Sequence, residues 1–188
     1  SEPLNVGTAY RVTLLPGSKS ADGRAIRETA SWQFTVRNPR VAFLHPAGSP
    51  ELWLYDPVDE SVRQISHTDG KVYDFGSSTA GNLIVFSAAN SQGGIDLWQY
   101  SRKTEAVEKI LDCGRDWCFN PAWSPADDRI AYTRRAAGEA EAAQPGVPRV
   151  HILEYSSAKD WILYDTDSVA GYSPRWSPDG RYLAFFDT

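Results

Sequence analysis

Methionine is absent from all 188 residues, so the initiator is missing and the sequence reads as a processed or excised portion of something longer. Cysteine is nearly absent. Cys113 and Cys118 lie in DCGRDWC, and the only histidines, His45, His67 and His151, are scattered among predicted strands and loops. A zinc site needs four ligands, generally with a tighter cysteine pair, so no metal site is expected here. The cysteine pair leaves two readings open: a disulfide in an oxidising compartment, or two half-buried thiols. No run of 18 apolar residues occurs, which excludes a membrane-spanning helix, and no signal peptide is visible at the start. Equally missing are G-x-S-x-G, H-E-x-x-H, a P-loop and G-x-G-x-x-G, so the commonest hydrolase, zinc-protease and nucleotide-binding classes lack their usual support and no cofactor is expected.

Positive charge is also in short supply over most of the chain. Residues 1–40 carry six Lys/Arg against three Asp/Glu, but residues 41–188 carry 13 against 21, for a net charge of -5. An acidic body argues against nucleic acid, whose backbone is held by general electrostatics. Acidic groups cluster at Asp56/Asp59/Glu60, Asp127/Asp128, Asp165/Asp167 and Asp179, near turns. None has the alternate spacing and closing Glu of a dedicated calcium loop, so they read as solvated turn residues.

What is present is aromatic and periodic. AYRVTLL alternates from Ala9, placing Tyr10, Val12 and Leu14 on one face, and SWQFTV alternates again with Trp32, Phe34 and Val36 inward. Between them PGSKSADGRAIRE is turn chemistry, with Asp22-Gly23 offering a φ > 0 position. So few strands cannot bury both sides of a core, so residues 1–37 read as part of a sandwich. After Asn38-Pro39 the texture becomes a repeat. VAF begins at Val41, IVF at Ile84, IAY at Ile130 and LAF at Leu183, at spacings of 43, 46 and 53. Between them fall LWLYD, LWQYS and ILEYS, which align with a tyrosine at the fourth place (Tyr55, Tyr100, Tyr155), and after each of these come SVRQI, AVEKIL and DWILY. Four short strands per period, with no segment of helical periodicity, make one propeller blade. Stacking blades radially covers both apolar faces of each sheet.

Each innermost strand leads into a turn. In SPRWSPDGRYLAFF, Trp176 can fill the wedge between blades, Pro178 presets the turn, Asp179 bonds its own backbone and Gly180 supplies the permissive conformation. Ala126-Asp127-Asp128 lacks the glycine. These units resemble the WD40-like repeats of TolB-type β-propellers, strongly at 120–133 and 173–186 and fairly at 74–87. VGTAYRVTLLPGSKSADGRAIRETASWQFTV is similar to the second half of SbsA-type bacterial Ig-like domains. The expected fold is therefore all-β: an Ig-like β-sandwich remnant at 1–37, then a partial β-propeller of four-stranded antiparallel blades over 38–188. The strand count gives about three and a half blades, beginning without an evident innermost strand. The chain is accordingly expected to be a fragment of a larger propeller, or an arc whose open blade edges drive self-association.

The resemblance implies a bacterial protein of the periplasm or cell surface, or a secreted one. With no convergent set of titratable residues in the sequence, the leading expectation is a non-enzymatic module that binds protein or envelope polymer. The alternatives are the propeller portion of a prolyl-oligopeptidase-like or tricorn-like hydrolase, or a structural spacer of a surface protein. Two features are singled out for partner binding, because contacts concentrate on loops carried by rigid scaffolds. One is the inter-blade loop with Arg115 and Trp117; the other is RRAAGEAEAAQPGVPRV, an insertion between the second and third strands of the third blade, with Glu139 and Glu141. Trp53 and Trp98 read as structural.

Overall fold

Alternating apolar residues broken by Gly, Pro, Asn and Asp give short strands and tight turns, and strands are the regular structure that forms. The computed structural model describes residues 4–36, 39–138, 145–164 and 169–187. Among these, fifteen strands and no helix occur. The chain groups into two compact units, Ser1–Val41 with Tyr55–Val62 and Ala42–Leu54 with Arg63–Thr188.

In the first unit β1 (Ala9–Leu14) and β2 (Ala30–Thr35) pair antiparallel, with Tyr10 opposite Phe34 and Val12 opposite Trp32. The register puts the apolar residues on one face, and Tyr10 stacks on Phe34 at 5.9 Å. That face is less inward than the alternation suggests: Trp32 is 50% exposed.

The blades follow. Strands β3 (Val41–His45), β4 (Glu51–Asp56) and β5 (Ser61–Gln64) make a three-stranded sheet in that order. The second blade is β6 (Val72–Ser77), β7 (Leu83–Ala89), β8 (Ile95–Ser101) and β9 (Val107–Leu111), and the third is β10 (Trp117–Trp123), β11 (Arg129–Arg135), β12 (Arg149–Glu154) and β13 (Lys159–Ile162). Strands β14 (Gly171–Trp176) and β15 (Leu183–Asp187) form a further antiparallel pair. This is an all-β, partial propeller. Two apolar clusters lie in its wedges, one around Leu52, Ile84, Phe86 and Tyr100, the other around Val85, Leu97, Ile130, Tyr132 and Leu153. Full burial of a side chain such as Phe86 contributes roughly 1.5–3 kcal/mol.

The repeat alignment needs one correction. Ile84 pairs with Tyr100, but Ile130 pairs with Leu153, so Tyr155 lies two residues beyond the place that Tyr100 occupies. By register His151 corresponds to Trp98, Leu153 to Tyr100 and Asp160 to Val107.

Innermost strands are bonded to one another at one repeated position, in or beside a bulge, occupied by Asp74, Asn120 and Ser173. Asn120 donates from its backbone N (2.8 Å) and its Nδ2 (3.0 Å) to Asp74 Oδ2, Ser87 Oγ donates to Asp74 Oδ1, and Ser173 Oγ donates to Asn120 Oδ1 (3.0 Å). The turn after each innermost strand is closed by a backbone bond to Ser78, Ser124 or Ser177, and the residue donating it has positive φ each time: Gly81, Asp127 and Gly180. Asp127 replaces glycine there and gains a contact, since its carboxylate accepts from the backbone N of Thr79 (2.6 Å) and Ala80 (3.1 Å) in the preceding blade.

Candidate functional site

Three loops meet at one end of the second and third blades: the β7–β8 turn, the β9–β10 connection and the two roots of the β11–β12 insertion. Asn90 organises the first. Its Oδ1 accepts from the N of Gln92 and of Gly94, both at 2.9 Å, while Nδ2 donates to Asp96 Oδ1 (2.9 Å) and across to Gly114 O (2.7 Å). Gly94 is required by proximity, since a Cβ there would lie 2.1 Å from Gly114 O and 2.7 Å from Asp116 O.

The β9–β10 connection is closed by a disulfide between Cys113 and Cys118, both buried in the wedge between the blades. The bridge encloses Gly114, Arg115, Asp116 and Trp117, and Asp116 O accepts from Ile95 N (3.0 Å), joining the blades. Trp117 stands at the edge of this loop, 38% exposed, with its indole Nε1 donating to Gly93 O (3.2 Å).

Around Trp117 opens a pocket of about 440 Å³, walled by Tyr73, Trp117 and Phe119, floored by Gly93 and Gly94, and bounded by Arg135. Arg135 Nε donates to Gly146 O (2.8 Å), and Gly146 N donates to Ala136 O (2.9 Å), so both roots of the insertion are tied together at the pocket rim. One residue earlier, Arg134 turns into the wedge. Its guanidinium contacts Asp116 Oδ2 from Nε (2.9 Å) and Nη2 (2.8 Å) and reaches Asp160 Oδ2 at 3.3 Å. Tyr132 OH donates to Asp160 Oδ1 (2.8 Å), His151 Nδ1 lies 3.2 Å from the same oxygen, and Asp116 Oδ1 accepts from Ala137 N (2.9 Å). Desolvation pushes the Asp160 carboxyl up, but the bonds from His151 and Tyr132 and the Arg134 charge outweigh it and hold it below the ordinary aspartate value. Burial, with the neighbouring Asp160, pushes the Tyr132 phenol far up, so it stays a donor. The network is a positioning device. It fixes the disulfide loop and the start of the insertion against the third blade.

Of the residues singled out from sequence, Trp117 walls the pocket and Arg115 is exposed in the same loop without lining it. Glu139 and Glu141 lie outside the described residues. Sequence reasoning missed Tyr73, Phe119 and Arg135. A signal for the first two exists, since an aromatic residue stands immediately before each of Asp74, Asn120 and Ser173 (Tyr73, Phe119, Tyr172). Among the described residues, no group of three or more His, Cys, Asp or Glu could hold a metal ion, and no helix is long and apolar enough to cross a membrane.

No family model matches the chain. Over 99 residues it is 28% identical to a probable dipeptidyl-aminopeptidase B of Sordaria macrospora, covering 48% of this chain and 10% of that protein. Its structure is similar to TolB from Acinetobacter baumannii (TM-score 0.58, 15% identity, 89% of this chain and 41% of TolB). It is also similar to the tricorn protease (TM-score 0.60, 15% identity, 98% of this chain and 20% of the protease). The chain thus spans less than half the length of each of these proteins. At this level of identity the likeness shows the fold alone, a β-propeller.

Proposed function

We propose that the chain is a non-enzymatic interaction module, and that the Trp117 pocket receives an apolar side chain from a partner protein. The observation that carries this reading is three aromatic rings around a 440 Å³ hollow, held in place by a disulfide and a half-buried ion network. Aromatic anchors in preorganised concave sites dominate binding energy at interfaces. Arg135 at the rim favours a partner residue with a carboxylate beside the apolar anchor. The buried Cys113–Cys118 bond supports work in an oxidising compartment, such as the periplasm, the cell surface or the exterior. Selection of a displayed random-peptide library against the immobilised chain tests the reading. Enriched peptides are expected to share an apolar anchor and to lose binding to Phe119→Ala. Peptides that enrich equally on the variant overturn it.

A second reading has its own support. The likenesses to a probable dipeptidyl-aminopeptidase and to the tricorn protease favour a propeller that accompanies a peptidase domain, in which case the same pocket faces substrate or that domain. The two readings separate on the parent gene: a Ser-His-Asp hydrolase domain encoded in the same frame selects the second.

A further inference from the structure

Successive wedges between blades are repeats of one another, so one can serve as a control for the next. In the wedge before the third blade, four positions carry Tyr132, Arg134, His151 and Asp160, and their side chains fill the outer half of the space with one bonded network. By register the same positions of the second blade carry Phe86, Ala88, Trp98 and Val107. Phe86 and Trp98 keep rings at two of the places, but Ala88 stands where Arg134 would cross the wedge and Val107 where Asp160 would bond, so no network spans this wedge. A cleft of about 680 Å³ results, between the segment 63–68 and the face of β7, β8 and β9. Its volume is that of a small-molecule site.

The lining is of two kinds. Trp98 and Val107 give an apolar wall, with Val107 over a third exposed. At each end stands an ion pair. Arg63 Nη1 meets Glu105 Oε1 at 2.9 Å while its Nη2 donates to Tyr100 OH, and Lys109 Nζ meets Asp96 Oδ2 at 2.7 Å while lying 5.4 Å from the centre of the Trp98 ring. Asp96 is fully buried. Its Oδ1 accepts from Asn90 Nδ2 and Cys113 N, both at 2.9 Å, but Oδ2 has no hydrogen bond of good geometry and is met by the Lys109 ammonium as an ion pair.

We infer that this cleft is a carbohydrate site, taking a neutral sugar that lies on Trp98 between the two ion pairs. The Arg63–Glu105 pair is partly exposed and offers a donor and an acceptor side by side, which is what adjacent hydroxyls need, while the inner pair offers the Lys109 ammonium as a donor with Asp96 Oδ2 buried behind it. A sugar ring also presents an apolar face of C–H groups to an aromatic ring with polar atoms at its edge. Neither cation is free for an anionic ligand, since Arg63 is paired with Glu105 and Lys109 with both Asp96 and Asp112, and breaking the inner pair leaves the buried Asp96 uncompensated. The site is separate from the Trp117 pocket and does not depend on the function proposed for it.

Saturation-transfer NMR of the full chain with maltose, cellobiose, N,N′-diacetylchitobiose and digalacturonate tests the inference. At least one of the three neutral disaccharides is expected to bind saturably, and Trp98→Ala to weaken that binding by about tenfold or more. Because Trp98→Ala removes a packed ring, Val107→Trp provides a second variant, filling the cleft from a partly exposed position and blocking the sugar with the fold intact. Trp117→Ala is expected to leave sugar binding unchanged. Absence of binding by all three neutral sugars, binding of digalacturonate only, or binding that survives Val107→Trp overturns the inference.

Discussion

Gly93 and Gly94 are neighbours in one turn but are held for different reasons, and substituting each by alanine separates them. Gly93 has φ +84 with open space around a would-be Cβ, so Gly93→Ala pays only for a left-handed backbone, roughly 1–2 kcal/mol. Gly94 has ordinary room in φ but none in space. An added Cβ meets Gly114 O, Asp116 O and Arg115 C, all backbone of a loop pinned by a disulfide, so neither side yields easily. Overpacking of that kind costs about 1–3 kcal/mol. Pushing the loops apart also strains the Asn90–Gly114, Ile95–Asp116 and Trp117–Gly93 hydrogen bonds, each with a net value of about 1 kcal/mol. A total of about 3–5 kcal/mol follows for Gly94→Ala, against at most about 2 for Gly93→Ala. Urea unfolding followed by tryptophan fluorescence measures both, and Gly94→Ala is also expected to raise acrylamide quenching of Trp117 in the folded protein. Equal destabilisation by the two variants would mean that the Gly94 contact with the disulfide loop is not what holds the glycine.

Trp123 is 7% exposed, whereas Trp176, at the equivalent repeat position, is half-buried and donates to Ala122 O at 3.1 Å. Trp123→Ala is accordingly expected to cost about 3–5 kcal/mol in chemical denaturation and Trp176→Ala less. Burial of both cysteines predicts that a dithiol leaves the Cys113–Cys118 bond intact until denaturant is added, and that replacing both by alanine costs about 2 kcal/mol; rapid alkylation after native reduction would contradict this. Glu51 is buried, and although desolvation raises its pKa, bonds from Ser66, Gly70 N and Thr68 bring it below the ordinary glutamate value. Its contribution is therefore present above that ordinary value and lost as pH falls through the folded one. Asp74 behaves oppositely. Burial raises its pKa beyond what Ser87, Asn120 and Arg175 offset, so its contribution is greatest at low pH and is lost as pH rises through the folded value. Denaturation midpoints between pH 3 and pH 7 should fall toward acid less steeply in Glu51→Gln than in the parent, and more steeply in Asp74→Asn.

Much of the blade architecture was legible because alternation, turn residues and spacing are local properties. The two-residue slip that separates Tyr155 from Tyr100 was not. Side chains alternate with a period of two, so a slip of two keeps every residue on its face and leaves the pattern unchanged. That slip puts His151, not Leu153, where Trp98 stands, and so decides which wedge is filled and which is open. Trp117 could be singled out because it sits between two cysteines in a loop. Arg135 and Gly94 acquire their roles through contacts with segments well separated in sequence, which no window over the chain reveals.

Under the function proposed above, the aromatic end of the second and third blades is the surface that meets a partner. Hydrogen–deuterium exchange of the chain with and without a peptide from the display selection tests this directly. Slower exchange is expected at Gly93–Ile95 and Cys113–Phe119, with no change at 63–68. Protection confined to other segments, with these unaltered, would contradict it.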